Sequence, residues 1–147
     1  NATLTEGEHG ALCSALAVLL EPPAADGSIR ATVCCAGHPR PYLLTAGGAT
    51  LAGEYGSLLG AFDEGEWPQV ELTLQVGDGL VLYTDGVTDA RGPDDRFGRE
   101  RLAALLQGCA GDTADVVAAR IDDAVAAFEH GPQLDDLAVL VVRVGSS

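Results

Sequence analysis

The chain has 147 residues, of which 22 are Asp or Glu and eight are Lys or Arg, so its formal net charge is −14. A length near 150 residues suits one domain, and an apolar fraction of 47% argues against a disordered chain. The acid excess argues against nucleic acid and anionic membranes as partners, because both are bound by clustered Lys and Arg. No apolar run reaches the roughly 18 residues of a membrane span. Abundant carboxylates are compatible with hard cations, which prefer oxygen ligands.

The first part of the chain predicts short strands separated by turns. Residues 12–20 form an apolar run that is too short for periodicity to assign it to a strand or a helix. Asp26-Gly27 is typical of a hairpin connection into a second strand over residues 29–35. Gly47-Gly48 predicts a turn, and the acidic, glycine-rich stretch 53–67 predicts a loop with little regular structure.

The middle of the chain carries the clearest strand signals. Residues 42–45 are predicted to be extended. Over residues 70–76 apolar and polar side chains alternate strictly, which predicts a strand with one buried and one solvated face. Residues 80–83 are apolar on both faces, and this pattern indicates a strand in the centre of a sheet.

Two amphipathic helices and a closing strand follow. Apolar residues spaced three and four apart predict helices around 102–109 and 117–128, and Asp112 or Thr113 is expected to cap the second. The apolar run 137–142 has the length of a buried strand. Strands that come mostly before helices predict an α+β domain, with helices on one face of a largely antiparallel sheet.

The strongest candidate for chemistry is Asp85, which follows the predicted central strand in the order Thr84-Asp85-Gly86. An isolated Asp-Gly pair is more often a tight hairpin turn. That interpretation is weaker here because no alternating strand follows Gly86, and we expect irregular chain instead. A carboxylate at the end of a rigid strand is well placed for a functional site.

A second pair of carboxylates, Asp135 and Asp136, directly precedes the closing strand. Alone, such a pair is most simply a solvated acidic turn. If the closing strand is the neighbour of strand 80–83, however, these carboxylates converge on Asp85, and like charges at close range need a cation between them. Mg²⁺ or Mn²⁺ fits an oxygen-only site, where it activates water and stabilises phosphoryl oxygens.

The third candidate is the pair Gly37 and His38, for which a structural hydrogen-bonding role is the default interpretation.

The cysteines contain no CxxC spacing, which argues against a zinc site. We expect them to be small buried side chains in a reducing compartment; they are Cys13, Cys34, Cys35 and Cys109.

Four segments together resemble one known family. Residues 36–41 (AGHPRP) resemble its AGHPPP segment, and residues 58–60 (LLG) resemble its LPLG. Residues 76–90 resemble its GDxLLLYTDGVTEA segment, and residues 134–140 resemble its DDxTLLV ending. Order and spacing also fit, so the chain resembles the SpoIIE-like branch of the metal-dependent (PPM, protein phosphatase 2C) serine/threonine phosphatases over nearly its whole length.

The resemblance implies an αββα sandwich, in which two antiparallel sheets are flanked by helices. It also implies hydrolysis of phosphoserine or phosphothreonine by water activated at a two-metal Mn²⁺ or Mg²⁺ site, without a phosphoenzyme. In this branch the substrates are typically phosphorylated anti-sigma factor antagonists. The implied role is therefore control of a sigma factor in the cytoplasm, with an upstream sensor domain in the full-length protein.

The site residues implied by the resemblance fall into two groups. Asp85 and Asp135 correspond to metal-binding aspartates of the family, and Asp136 lies beside the second of them. The others are expected to line the site or to serve the structure; they are Gly37, His38 and Gly86.

The sequence departs from the family in one respect. The family has an earlier Asp-x-x-Gly-His-Gly motif that bridges the two metals, and nothing before Leu12 resembles it. We therefore expect residues 1–147 to be a partial domain that lacks an N-terminal portion, with Asn1-Ala2 compatible with a cloning remnant. We expect weak or absent activity from this chain alone, and a homodimer that covers exposed sheet edges.

Two alternatives stay open at this point. The first alternative to a phosphatase is a catalytically dead, phosphatase-like module that binds a regulatory partner. The second is an acidic α+β binding domain whose Asp-Gly pairs are only turns. Binding of Mn²⁺ that depends on Asp85 and Asp135 distinguishes the second alternative from a metal-dependent enzyme.

Overall fold

The computed structural model describes residues 11–130 and 136–145. The chain divides into two compact units, and the described part of the first comprises residues 11–40 and 52–74. The described part of the second comprises residues 41–51, 75–130 and 136–145. Asn1-Ala2 and Asp135 lie outside the described residues.

The first unit contains a three-stranded antiparallel sheet in the order β1-β2-β5. Its strands are β1 (Ala15–Leu20), β2 (Ile29–Ala36) and β5 (Gln69–Leu74). Val33 is the Cα partner of Val18 on one side and of Val70 on the other, so aliphatic side chains form a continuous row on one face. The predicted alternation in β5 and the predicted strand over 29–35 are therefore confirmed.

The second unit contains a four-stranded antiparallel sheet in the order β4-β3-β6-β7. Its strands are β3 (Tyr42–Thr45), β4 (Gly48–Leu51), β6 (Gly79–Tyr83) and β7 (Val139–Arg143). Strand β6 pairs with β3 and β7, and four of its five residues are buried. The prediction of a central strand from its apolar run is thus confirmed.

The described residues of the second unit contain three helices: α1 (Asp85–Asp89), α2 (Gly98–Gln107) and α3 (Ala114–Phe128). The apolar faces of α2 and α3 supply Leu102, Leu106 and Ile121 to a buried cluster that also contains Val81 and Tyr83 of β6. Burial of each such side chain contributes about 1.5 to 3 kcal/mol. These contacts bind the two longer helices to the sheet, as the helical spacing predicts.

Of the two residues predicted to cap helix α3, Thr113 is the one that does so. The Thr113 hydroxyl accepts a hydrogen bond from the Val116 amide at 3.4 Å. Asp112 instead pairs with the Arg120 guanidinium at 2.7 Å. This hydrogen bond is the main reason that the pKa of Arg120 is raised.

Several boundaries differ from the sequence expectations. The irregular chain expected after Asp85 is wrong, because residues 85–89 form α1. The Gly47-Gly48 turn leads directly into the unpredicted strand β4. The strand predicted over 70–76 ends at Leu74, because Gln75 belongs to the turn in which its amide donates to the Asp78 carboxylate at 2.9 Å.

The closing strand is less buried than expected. The run 137–142 predicts a fully buried strand, whereas β7 is the outer strand of the described sheet and Leu140 is 60% exposed. Strand order, which the apolar run does not encode, accounts for the difference.

All four cysteines are free thiols. Cys35 and Cys109 are buried as expected, and burial raises the pKa of each thiol. Cys13 is exposed, contrary to the expectation of buried cysteines, and Cys34 is half-buried. Across the described residues, the helices are too short or too polar to cross a bilayer.

Candidate metal centre

Asp85 lies where strand β6 changes into helix α1. Buried Leu80, Val81 and Tyr83 fix the strand. Thr84 is extended and immediately precedes the helix, and the carbonyl of Thr84 accepts from the Val87 amide at 3.1 Å. Asp85 is exposed. The hairpin-turn interpretation of Asp-Gly is therefore wrong, and the carboxylate belongs to the first residue of a short helix.

Asp136 lies beside this junction because β6 and β7 are antiparallel neighbours. Tyr83 at the end of β6 is the Cα partner of Val139 at the start of β7. The backbone that precedes Val139 is therefore brought to the end of β6, and the Thr84 amide donates to the Ala138 carbonyl at 3.0 Å. The neighbouring strands that the sequence argument required are present.

The Thr84 side chain adds two hydrogen bonds at the same place. Its hydroxyl donates to the Asp136 carbonyl at 2.9 Å and accepts from the Ala138 amide at 3.0 Å. Asp136 is exposed like Asp85. One side chain thus links the backbone next to the first carboxylate with the backbone of the second.

Gly86 is buried and lies against the same backbone. A Cβ atom at Gly86 would be 2.6 Å from the Asp136 oxygen and 3.0 Å from its carbonyl carbon. Real Cβ atoms essentially never approach backbone so closely. The absence of a side chain at residue 86 therefore permits the close approach of α1 and the segment before β7.

The donor chemistry of this junction suits a hard cation. Both exposed groups are carboxylates, which are preferred ligands of Mg²⁺ and Mn²⁺, and the glycine lets the backbones that carry them approach each other closely. Within ranges 11–130 and 136–145 there is no group of three or more His, Cys, Asp or Glu that could hold a metal ion. Asp135, the other predicted ligand, is outside those ranges.

Gly37 and His38 lie in the first unit. Gly37 has a φ of +64°, and a Cβ there would be 2.9 Å from the Cα of Leu58. Its amide donates to the Gly56 carbonyl at 3.0 Å. The His38 ring nitrogen Nδ1 is 3.2 Å from the Ser14 hydroxyl. These contacts explain why glycine is required at residue 37 and tie His38 to the residue before β1.

Sequence reasoning missed Thr84 as a residue of the junction. The sequence places it directly before Asp85, but threonine in an extended segment is ordinary. Its two hydrogen bonds join residues 52 and 54 positions apart in the chain, and only the pairing of β6 with β7 makes them predictable.

The family model and the solved structures that match this chain all point to one group of proteins. A family model described as Stage II sporulation protein E (SpoIIE) matches residues 1–145. The phosphatase domain of the cell fate determinant SpoIIE from Bacillus subtilis has a TM-score of 0.66 at 17% identity, over 99% of this chain and 63% of that chain. No curated protein sequence matches the chain.

Two further solved structures share the fold. The SiaA-PP2C domain of Pseudomonas aeruginosa has a TM-score of 0.64 at 21% identity, over 79% of this chain and 52% of that chain. The RsbU and RsbW domains of a Mycobacterium tuberculosis protein give 0.63 at 23% identity, over 84% of this chain and 34% of that chain. The two antiparallel sheets and few helices are thus those of a PP2C-like domain, and this chain spans only part of each solved structure.

Proposed function

Because the chain belongs to the SpoIIE family, we propose that it contributes to a metal-dependent protein phosphatase that hydrolyses phosphoserine or phosphothreonine on a regulatory protein. The observation that supports this proposal best is the junction of β6 and β7. There the residue before Asp85 is hydrogen-bonded to Asp136 and Ala138. Two chain segments with exposed carboxylates therefore meet at one place.

In this proposal Asp85 and Asp135 bind the metal, with Asp136 beside Asp135 in the sequence, and Gly86 allows the close approach of the Asp136 backbone. Bound Mn²⁺ or Mg²⁺ supplies an activated water and neutralises charge on the phosphoryl group. The exposed position of Asp85 keeps its carboxylate accessible to an incoming phosphoprotein. Gly37 and His38 have a structural or site-lining role.

The substrate class follows from the family resemblance. We propose a phosphorylated anti-sigma factor antagonist as the substrate, with an upstream sensor domain that controls the phosphatase, in the cytoplasm. A related solved structure contains an RsbW domain together with an RsbU domain, which is compatible with a regulatory protein as the partner.

Calorimetric titration with Mn²⁺ tests the metal site directly. We expect Asp85→Asn and Asp135→Asn each to weaken binding by at least about tenfold, the smallest loss that is usual even for residues that only support a metal ligand. Asp136→Asn then shows whether the adjacent carboxylate also binds. Asp122→Asn is the matched control, because Asp122 is an exposed aspartate on α3, and it should leave the affinity unchanged. Equal affinity in all four variants would contradict the proposal.

Turnover of a phosphoserine peptide in Mn²⁺ tests catalysis. The sequence contains no Asp-x-x-Gly-His-Gly segment, so ligands from that motif are not supplied by this chain, and we expect weak turnover. Robust turnover that Asp85→Asn abolishes would contradict that expectation while it supports phosphatase activity.

The second candidate is a catalytically inactive phosphatase-like module that binds a regulatory protein. It is favoured by the lack of an Asp-x-x-Gly-His-Gly segment within residues 1–147. An Asp-x-x-Gly-His-Gly segment in the coding region immediately upstream would argue against it. A complete reading frame without that segment, together with no detectable binding of Mn²⁺, would favour it.

A further inference from the structure

We propose that Thr84 is a positioning residue, whose hydroxyl sets the spacing between the Asp85 and Asp136 carboxylates. This inference rests on the proposed function, because the spacing matters only if the two segments share a metal. It concerns a residue that does not itself offer a carboxylate.

Two requirements meet at Thr84. Strand β6 must stay paired with the segment before β7, and helix α1 must begin at the next residue. The start of the helix uses the Thr84 carbonyl, which accepts from the Val87 amide at 3.1 Å. In a regular antiparallel ladder the same carbonyl would accept from the amide of the paired residue, Ala138.

The hydroxyl takes over the role of that carbonyl. It accepts from the Ala138 amide at 3.0 Å, while the Thr84 amide donates to the Ala138 carbonyl at 3.0 Å. The sheet pairing therefore continues by one residue beyond the point where the backbone carbonyl has entered the helix. A hydroxyl can accept and donate through the same oxygen atom, so one short side chain makes both contacts.

The hydroxyl proton forms a hydrogen bond with Asp136, the second residue that carries a carboxylate. The hydroxyl donates to the Asp136 carbonyl at 2.9 Å. Asp85 and Asp136 are both exposed, so packing does not fix their side chains, and their separation is set by the backbones that carry them. Two like charges brought together repel each other, and the hydrogen bonds of Thr84 oppose that repulsion before a cation arrives.

The test compares Thr84→Val with Thr84→Ser. Valine has nearly the shape of threonine but neither accepts nor donates, whereas serine keeps the hydroxyl. Mn²⁺ affinity is measured by calorimetry, and the thermal unfolding midpoint is measured in parallel without metal. We expect Thr84→Val to lose about 10- to 100-fold in affinity, the usual effect of removing support around a metal site, and Thr84→Ser to keep affinity close to that of the original chain.

Thr88→Val is the matched control. The Thr88 hydroxyl lies in helix α1 and donates to the Asp85 carbonyl at 3.2 Å, whereas within the described residues the hydroxyl that bonds to Asp136 and Ala138 is that of Thr84. We expect no change in affinity. A double substitution with Asp85→Asn adds a second readout, because the effect of Thr84→Val on affinity should shrink once Asp85 can no longer bind.

The outcomes separate this inference from the proposed function. If Thr84→Val lowers the unfolding midpoint but leaves the affinity unchanged, Thr84 is merely structural and the inference is wrong, while the metal site stands. If the original chain itself binds no Mn²⁺, the proposed metal site fails and the inference fails with it. Thr84→Ala removes the same hydroxyl and replaces Thr84→Val if the valine variant does not fold.

Discussion

Asp85 and Gly86 are adjacent, yet their roles in the structure are opposite. Asp85 presents an exposed carboxylate, whereas Gly86 is buried against the Asp136 backbone. The dipeptide Asp-Gly is most often found in hairpin turns. That interpretation of the sequence suggests neither an exposed ligand at residue 85 nor a close backbone contact at residue 86. Each residue can be tested separately, since one acts through its side chain and the other through the lack of one.

Replacement of Gly86 by alanine is expected to destabilise the protein. In an ordinary helix Gly→Ala stabilises by up to about 1 kcal/mol. At residue 86 the added Cβ would meet the Asp136 oxygen at 2.6 Å, and forced overpacking costs about 1 to 3 kcal/mol. We expect the clash to dominate, so the free energy of unfolding in urea should fall. Gly47→Ala is the control, because its new Cβ would lie an ordinary 3.5 Å from the Thr45 hydroxyl oxygen. A Gly86→Ala variant as stable as the original chain would contradict the close approach.

At the scale of the elements, the sequence predicts those with a clear hydrophobic pattern and misses helix α1 and strand β4. Strand β5 and helices α2 and α3 carry enough turns or alternations for their period to be visible. Helix α1 has five residues and strand β4 has four, so neither completes a recognisable pattern. Helix α1 also begins with Asp-Gly, and glycine is a poor helix former.

The candidate site shows the same limit. The sequence supplies Asp85 and Asp136 as acidic residues next to apolar strands, and the order of strands in the sheet then decides whether they meet. That order is not encoded locally, so the convergence remains conditional until the pairing of β6 with β7 is known. The bridging contribution of Thr84 depends on the same pairing.

A side chain of helix α2 forms hydrogen bonds with the backbone of the outer strand β4. The Gln107 amide donates to the Ala49 carbonyl at 2.8 Å, and its oxygen accepts from the Ala49 amide at 3.1 Å. Gln107 thus imitates a neighbouring strand. A side chain at Gly48 would collide with the Gln107 oxygen, and the φ of +111° at Gly48 also favours glycine.

Gln107→Ala should therefore weaken the attachment of β4. Loss of the paired hydrogen bonds is expected to lower the free energy of unfolding by about 1 kcal/mol, measured by urea denaturation, and to speed hydrogen exchange at the Ala49 amide. Gln75→Ala is the control, because Gln75 is exposed and its hydrogen bonds among the described residues use its backbone amide and carbonyl, which alanine keeps. Unchanged exchange at Ala49 in the Gln107 variant would show that the side chain does not protect this edge.

At the scale of the whole molecule, net charge and sheet edges act in opposite directions. A net charge of −14 favours separate chains through mutual repulsion. Strand β1, however, is an outer strand that pairs with β2 on one side, and none of the other described strands pairs with its far side. It has the uncharged sequence ALAVLL, and Leu19 is 66% exposed. Such an edge is a template for pairing with a second copy.

We expect self-association through β1 once the charges are screened. Raising the salt concentration from about 0.01 M to about 1 M shortens the Debye length from about 30 Å to about 3 Å. Sedimentation velocity should then show a shift from monomer toward dimer. Leu19→Glu places a charge on the exposed side of β1 and should reduce the dimer fraction at high salt. Val116→Glu on α3 adds the same charge at another exposed aliphatic residue, so it should reduce the fraction much less. A monomer at every salt concentration, or an equal effect of both substitutions, would show that β1 is not the dimer contact.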